Sequence, residues 1–104
     1  MTEYGDAAKP QGGEFARMLE AHRALFWDAD IQALDMWKNR AFIISRLLSK
    51  GGMPGYLWVT GHYPEADIVE AVIRRRDMDP IMRNFMAERY RIPKDRLVKA
   101  RRWR

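Results

Sequence analysis

Apolar residues recur at helical spacings from residue 14 onward, and glycine, proline and aspartate mark the intervals between the runs. Phe15, Leu19, His22 and Phe26 follow steps of four, three and four, which predicts a helix from about Glu14, widened by Met18 and Leu25. Asp28 and Asp30 suit turn or N-cap positions, where a carboxylate accepts unpaired backbone N–H groups, and a short helical turn is expected over 31–36. The strongest pattern runs over 37–50. There Trp37, Ala41, Ile44 and Leu48 form one row, Phe42, Ile43 and Leu47 flank it, and Gly51-Gly52 supply the stop.

Tyr56, Leu57, Trp58 and Val59 have side chains that favour sheets, but no other segment offers a strand to pair with. The stretch 53–63 is therefore read as a short helix. Pro64, Glu65 and Asp67 open the next one, over 64–76, with Ile68, Val69, Val72 and Ile73 as its buried stripe and Arg74 to Arg76 at its C-terminal end. Asp79 as N-cap and Pro80 at the first helical position begin a helix over 80–90. It is expected to bury Ile81, Met82, Phe85, Met86 and Tyr90, turning Arg83, Asn84, Ala87, Glu88 and Arg91 outward. A last short helix opens at Ile92-Pro93-Lys94-Asp95 and runs through Leu97 and Val98. The pattern predicts an all-α fold, a compact bundle of five or six short helices. One domain over 14–98 is expected between a flexible leader, 1–13, and a basic tail, 99–104.

Composition adds mainly exclusions. The chain has 104 residues, enough for one core, and is 47% hydrophobic and 32% charged, which favours folding over disorder. It has no cysteine, so disulfides, thiol catalysis and cysteine-ligated metals are ruled out. No apolar stretch approaches the ~18 residues of a membrane span. The first residues lack a signal-peptide pattern, so no membrane partner and a cytoplasmic location are expected.

Charge changes the picture more. Residues 1–73 hold 7 Lys/Arg against 10 Asp/Glu, whereas residues 74–104 hold 12 against 4. The net charge of +5 therefore comes from the last third of the chain, which is attracted to a polyanion or an acidic protein surface. The helices over 64–76 and 80–90, joined by a short turn, have the outline of a helix-turn-helix. In that geometry Arg83 and Asn84 are the candidates for reading bases, because guanidinium pairs with guanine and carboxamide with adenine. Arg74, Arg75, Arg76, Arg89 and Arg91 are candidate phosphate contacts. Lys99, Arg101 and Arg102, with Trp103 among them, suit phosphate attraction and base stacking. Against this stands the fact that every helical bundle has helix pairs with charged outer faces, and this turn lacks the usual glycine.

Candidate chemistry is sparse. His22 and His62 are the two histidines, without a Ser-His-Asp or HExxH arrangement, and each reads as a packing or surface residue. Asp28, Asp30 and Asp35 lack the glycine and terminal glutamate of a calcium loop, and the Gly-rich GGMPG lacks the Lys-Ser/Thr of a phosphate loop. A non-catalytic protein with no cofactor and no metal is expected. Trp27, Trp37 and Trp58 are assigned to the core, as are most of the seven methionines; Met78 or Met82 is the candidate to line a groove for another protein.

Phe26-Trp27-Asp28, the run Lys38 to Leu48, Asn84 to Ala87 and Ile92-Pro93 form a pattern that resembles a family of short uncharacterised bacterial helical proteins. The likeness covers about 25–97 and departs from the family at Met86, where tryptophan is frequent. Members look like the small partners of nucleotidyltransferase-like toxins of the abortive-infection type. The resemblance thus implies an antitoxin whose protein partner is such a toxin, with DNA as a second partner through the basic helices. The alternatives are a protein-interaction adaptor without nucleic-acid binding and an RNA-binding module using the basic tail.

Overall fold

The computed structural model describes residues 10–98, with side chains from Gly13 onward. Lys99, Arg101, Arg102 and Trp103 lie outside the described residues, as do residues 1–9 of the expected leader. Every regular element among the described residues is helical, so the all-α expectation holds. The described residues fall into two units that divide between Asn39 and Arg40.

The first unit begins with α1, Pro10–Ala21, followed by a 3-10 helix, Arg23–Phe26. The helix starts four residues before the apolar spacing predicts, so 10–13 is helical rather than leader. Proline is the reason: in a first turn its missing N–H would have had no partner, and its fixed φ suits the helix. Phe15, Met18, Leu19, Phe26 and Met36 are buried. Trp27, assigned to the core from sequence, is 81% exposed. Phe26 immediately before it takes the interior position, and consecutive side chains in a turn point different ways. The stretch to Asn39 is held by aspartates: Asp30 accepts from the Gln32 N–H, and Asp35 accepts from the N–H groups of Trp37 and Lys38. These are the capping roles that the sequence suggested for Asp30 and its neighbours.

In the second unit α2, Arg40–Lys50, is central and packs against α3 (Gly52–His62), α4 (Glu65–Arg74) and α5 (Pro80–Arg89). Ile43, Ile44, Leu47 and Leu48 of α2 are buried, with Val59 of α3, Ile68, Ala71 and Val72 of α4, Met78, and Met86 and Ala87 of α5. The chain turns from α2 into α3 across a single residue, Gly51. Gly52 follows at φ +64°, a left-handed conformation that only glycine takes without strain. Asp79 caps α5 by accepting from the Met82 N–H. Its own N–H donates to Ser49 Oγ at 2.9 Å, tying the start of α5 to α2. A short 3-10 helix, Lys94–Arg96, closes the described chain, and the Val98 N–H donates to the Ile73 carbonyl.

Candidate functional site

The basic helix pair was the leading candidate from sequence, and the structure divides its residues between different tasks. Arg74 is exposed and pairs with Glu70 one turn earlier on α4. Arg75 is half-buried and grips Asp77 with two hydrogen bonds, of 3.0 and 2.8 Å, while its guanidinium lies 5.9 Å from the Phe42 ring centroid. Arg76, Asn84 and Arg91 are exposed. Arg91 turns the chain out of α5 at φ 57°. Arg89 is exposed; its Nε donates to the Tyr56 hydroxyl at 3.2 Å and its guanidinium lies over the Tyr90 ring.

Arg83 is a correction. Expected on the outer face as a reader of bases, it is only 5% exposed, with Nε donating to the Val72 carbonyl and Nη2 to the Ile73 carbonyl, each at 2.9 Å. The last carbonyls of a helix have no intrahelical donor, and a cation is favoured at that end of the dipole. A guanidinium answers both needs at the end of α4. The buried residues of α5 are therefore Arg83, Met86 and Ala87, at steps of three and one, and of these Met86 was expected inside. The helix is turned relative to the expectation. Ala87 is buried, whereas Ile81 and Phe85 point outward at 79% and 50% exposure.

Asp77 has a definite pH signature. Burial opposes its ionisation, but the hydrogen bond and charge of Arg75, its own backbone N–H and the Ser45 hydroxyl outweigh that cost. Its carboxyl is held below its ordinary range. Stability from this site is complete above the unfolded-chain value near ~4 and is lost as pH falls through the lower folded-state value. Thermal melts from pH 5 downward are expected to show a smaller acid-induced drop for Asp77→Asn than for the wild type.

The rotation of α5 leaves an apolar groove open beside it. Both α3 and α5 lean on α2, and between their first two turns lies a groove of about 400 Å³. Leu48 and Ser49 form its floor, Gly52, Met53 and Tyr56 one wall, and Ile81, Met82 and Phe85 the other, with Asp79 also lining it. The Tyr56 and Phe85 rings meet edge to face at 6.2 Å. Of the groove-lining methionines suggested from sequence, Met82 is one, while Met78 is fully buried. The wall formed by α3 has a property of its own: GMPGYLWVTGH contains no Asp, Glu, Lys or Arg on any face. A helix apolar all round ordinarily sits inside a protein. Here Gly55 and Val59 are its buried residues, and Met53 and Leu57 are exposed. That absence of charge, beside Met82, was the signal in the sequence that pointed to this surface.

The remaining candidates have local roles. His22 and His62 each place Nδ1 against the carbonyl four residues earlier, of Met18 and Trp58, and the His62 ring stacks on Trp58 at 4.0 Å. No group of three or more His, Asp or Glu side chains among the described residues is placed to hold a metal ion. None of the helices is long and apolar enough to cross a membrane, again among the described residues.

No curated protein and no solved structure matches this chain. Residues 21–72, from the turn before the first 3-10 helix to near the end of α4, match the profile of a family of unknown function, DUF6922. The match spans half of the 104 residues and takes in the floor and the α3 wall of the groove. The chain therefore belongs to the DUF6922 family.

Proposed function

We propose that the protein is a non-catalytic antitoxin-type partner that binds a nucleotidyltransferase-like toxin through the groove between α3 and α5. The observation that carries this reading is the set of exposed apolar side chains, Met53, Ile81 and Phe85, that line a preformed cleft. Exposed apolar surface of this kind, next to flexible methionines, is characteristic of protein-binding faces. The likeness to small partners of abortive-infection toxins names the class of partner. Charge favours a different protein over a second copy, since two chains at +5 repel each other while an acidic surface is drawn in.

DNA is not the occupant proposed for this face. A major-groove helix reads base edges with polar side chains, whereas α5 turns Ile81 and Phe85 outward and keeps Arg83 inside. The test is co-expression with the host's nucleotidyltransferase-like toxin. Wild-type protein is expected to restore growth and to co-purify with the toxin. Phe85→Glu, at a half-exposed position, is expected to keep its helical circular dichroism and to bind the toxin at least tenfold more weakly. Full rescue by Phe85→Glu, or no rescue by the wild type, defeats the reading.

A further inference from the structure

Resting on the protein-binding reading above, we infer that the groove takes an amphipathic α-helix of the partner with a carboxylate at one end, and that Arg89 receives that carboxylate. The groove is the right size for part of a helix. A volume of about 400 Å³ accepts two or three apolar side chains, the number that one face of a helix presents over two turns at i, i+3 or i+4, and i+7. Its walls suit such a face. Met53 and Met82 adapt to varied shapes, and Ile81 and Phe85 supply fixed apolar bulk.

The groove has one charged lining residue, Asp79, and a charged neighbour, Arg89. Asp79 lines the groove, already engaged as the cap of α5. Arg89 stands one helical turn beyond Phe85, beside the groove, and its Nε donates to the hydroxyl of the lining Tyr56. Glu65 is near enough to act on Arg89 electrostatically, but among the described residues no carboxylate forms an ion pair with it. An arginine fixed through Nε keeps its two terminal nitrogens as a fork, and that fork matches a carboxylate. The tyrosine and the Tyr90 ring thus hold a cation beside an apolar slot. Apolar anchors then supply affinity, and the arginine sets which way round the helix lies.

Two synthetic helical peptides of 16 residues test this directly. Both carry leucines at i, i+4 and i+7; one has glutamates at the flanks and the other lysines. Methyl NMR of Met53, Met82 and Ile81 reports occupancy of the groove, and titration gives each affinity. The glutamate peptide is expected to shift these methyls and to bind at least tenfold more tightly than the lysine peptide. Arg89→Gln is expected to remove most of that preference, whereas Lys94→Gln, which takes the same charge from outside the groove, leaves it. Ile81→Glu, at a largely exposed position, is expected to abolish binding of both. Equal binding of the two peptides, a preference that survives Arg89→Gln, or methyl shifts that arise on concentrating the protein alone, as a second copy would cause, overturns the inference. Peptide binding without toxin rescue would leave the groove assignment standing and remove only the antitoxin role.

Discussion

Replacing Arg83 with alanine is expected to lower the unfolding free energy by about 3 kcal/mol, and with it the melting temperature by roughly 15 °C. The arginine is 5% exposed and donates to two carbonyls at the end of α4. Hydrogen bonds from a charged donor contribute roughly 1.5–3 kcal/mol each, and removal takes the arginine's donor from the Val72 carbonyl while the Ile73 carbonyl keeps only the Val98 N–H. The aliphatic stem is lost as well, opening space beside Met86 and Ala87. Burial pushes the guanidinium pKa below its ordinary value, yet an arginine remains charged across the physiological range. Arg83→Met separates the contributions, because it keeps the stem while deleting the donors. It is expected to retain about a third of the lost stability in urea titrations. A loss below about 1 kcal/mol for Arg83→Ala would mean that the carbonyls find other donors and that the residue is not structural.

That arginine also marks where the sequence stopped being informative. The punctuation of the second unit was legible because it is local. Gly51-Gly52 ends α2, Asp79-Pro80 opens α5 and Glu65 and Asp67 occupy the first turn of α4, all as expected. The core face of α2 was legible in part: Ile43, Ile44, Leu47 and Leu48 are buried as expected, whereas Trp37 precedes the helix and it, Ala41 and Phe42 are only half-buried. The rotation of α5 was not. Ile81, Met82, Phe85, Met86 and Tyr90 make the row expected inside, and Arg83, Met86 and Ala87 make the row that is buried, with Met86 common to both. Only the carbonyls ending α4, a feature of tertiary structure, favour the row containing a charge. The error carried over to the candidate site. With α5 in its expected rotation Arg83 would have read bases and the groove would have been filled, whereas the observed rotation exposes Ile81 and Phe85 and encloses the arginine. Trp27 failed for a related reason: size and apolarity assign a tryptophan to the core, but in a turn the neighbour, Phe26, had already taken that direction.

Two glycines of α3 are expected to respond to alanine with opposite signs. A Cβ at Gly55 would lie 2.5 Å from the Leu47 carbonyl oxygen and 3.2 Å from its carbon, both backbone atoms of α2 that no side-chain rotation can move aside. A Cβ at Gly61 meets nothing within 4 Å. Alanine at either position gains about 1 kcal/mol of helix propensity. At Gly61 that gain stands almost alone, and stability is expected to rise by about 0.5–1 kcal/mol. At Gly55 it is set against overpacking that costs roughly 3 kcal/mol or more, so a net loss of about 2 kcal/mol is expected in urea or thermal unfolding. A stabilised Gly55→Ala would show that α3 can move off α2 at little cost. The groove gives this position a second readout. Leu48 and Ser49 of its floor follow Leu47, and Met53 and Tyr56 of its wall flank Gly55, so the spacing of floor and wall is set where the two backbones touch. Pushing α3 outward widens the slot and carries Tyr56 away from Arg89. Gly55→Ala should therefore weaken capture of an acid-flanked helix even at temperatures where the variant is fully folded, while Gly61→Ala leaves that binding as it was.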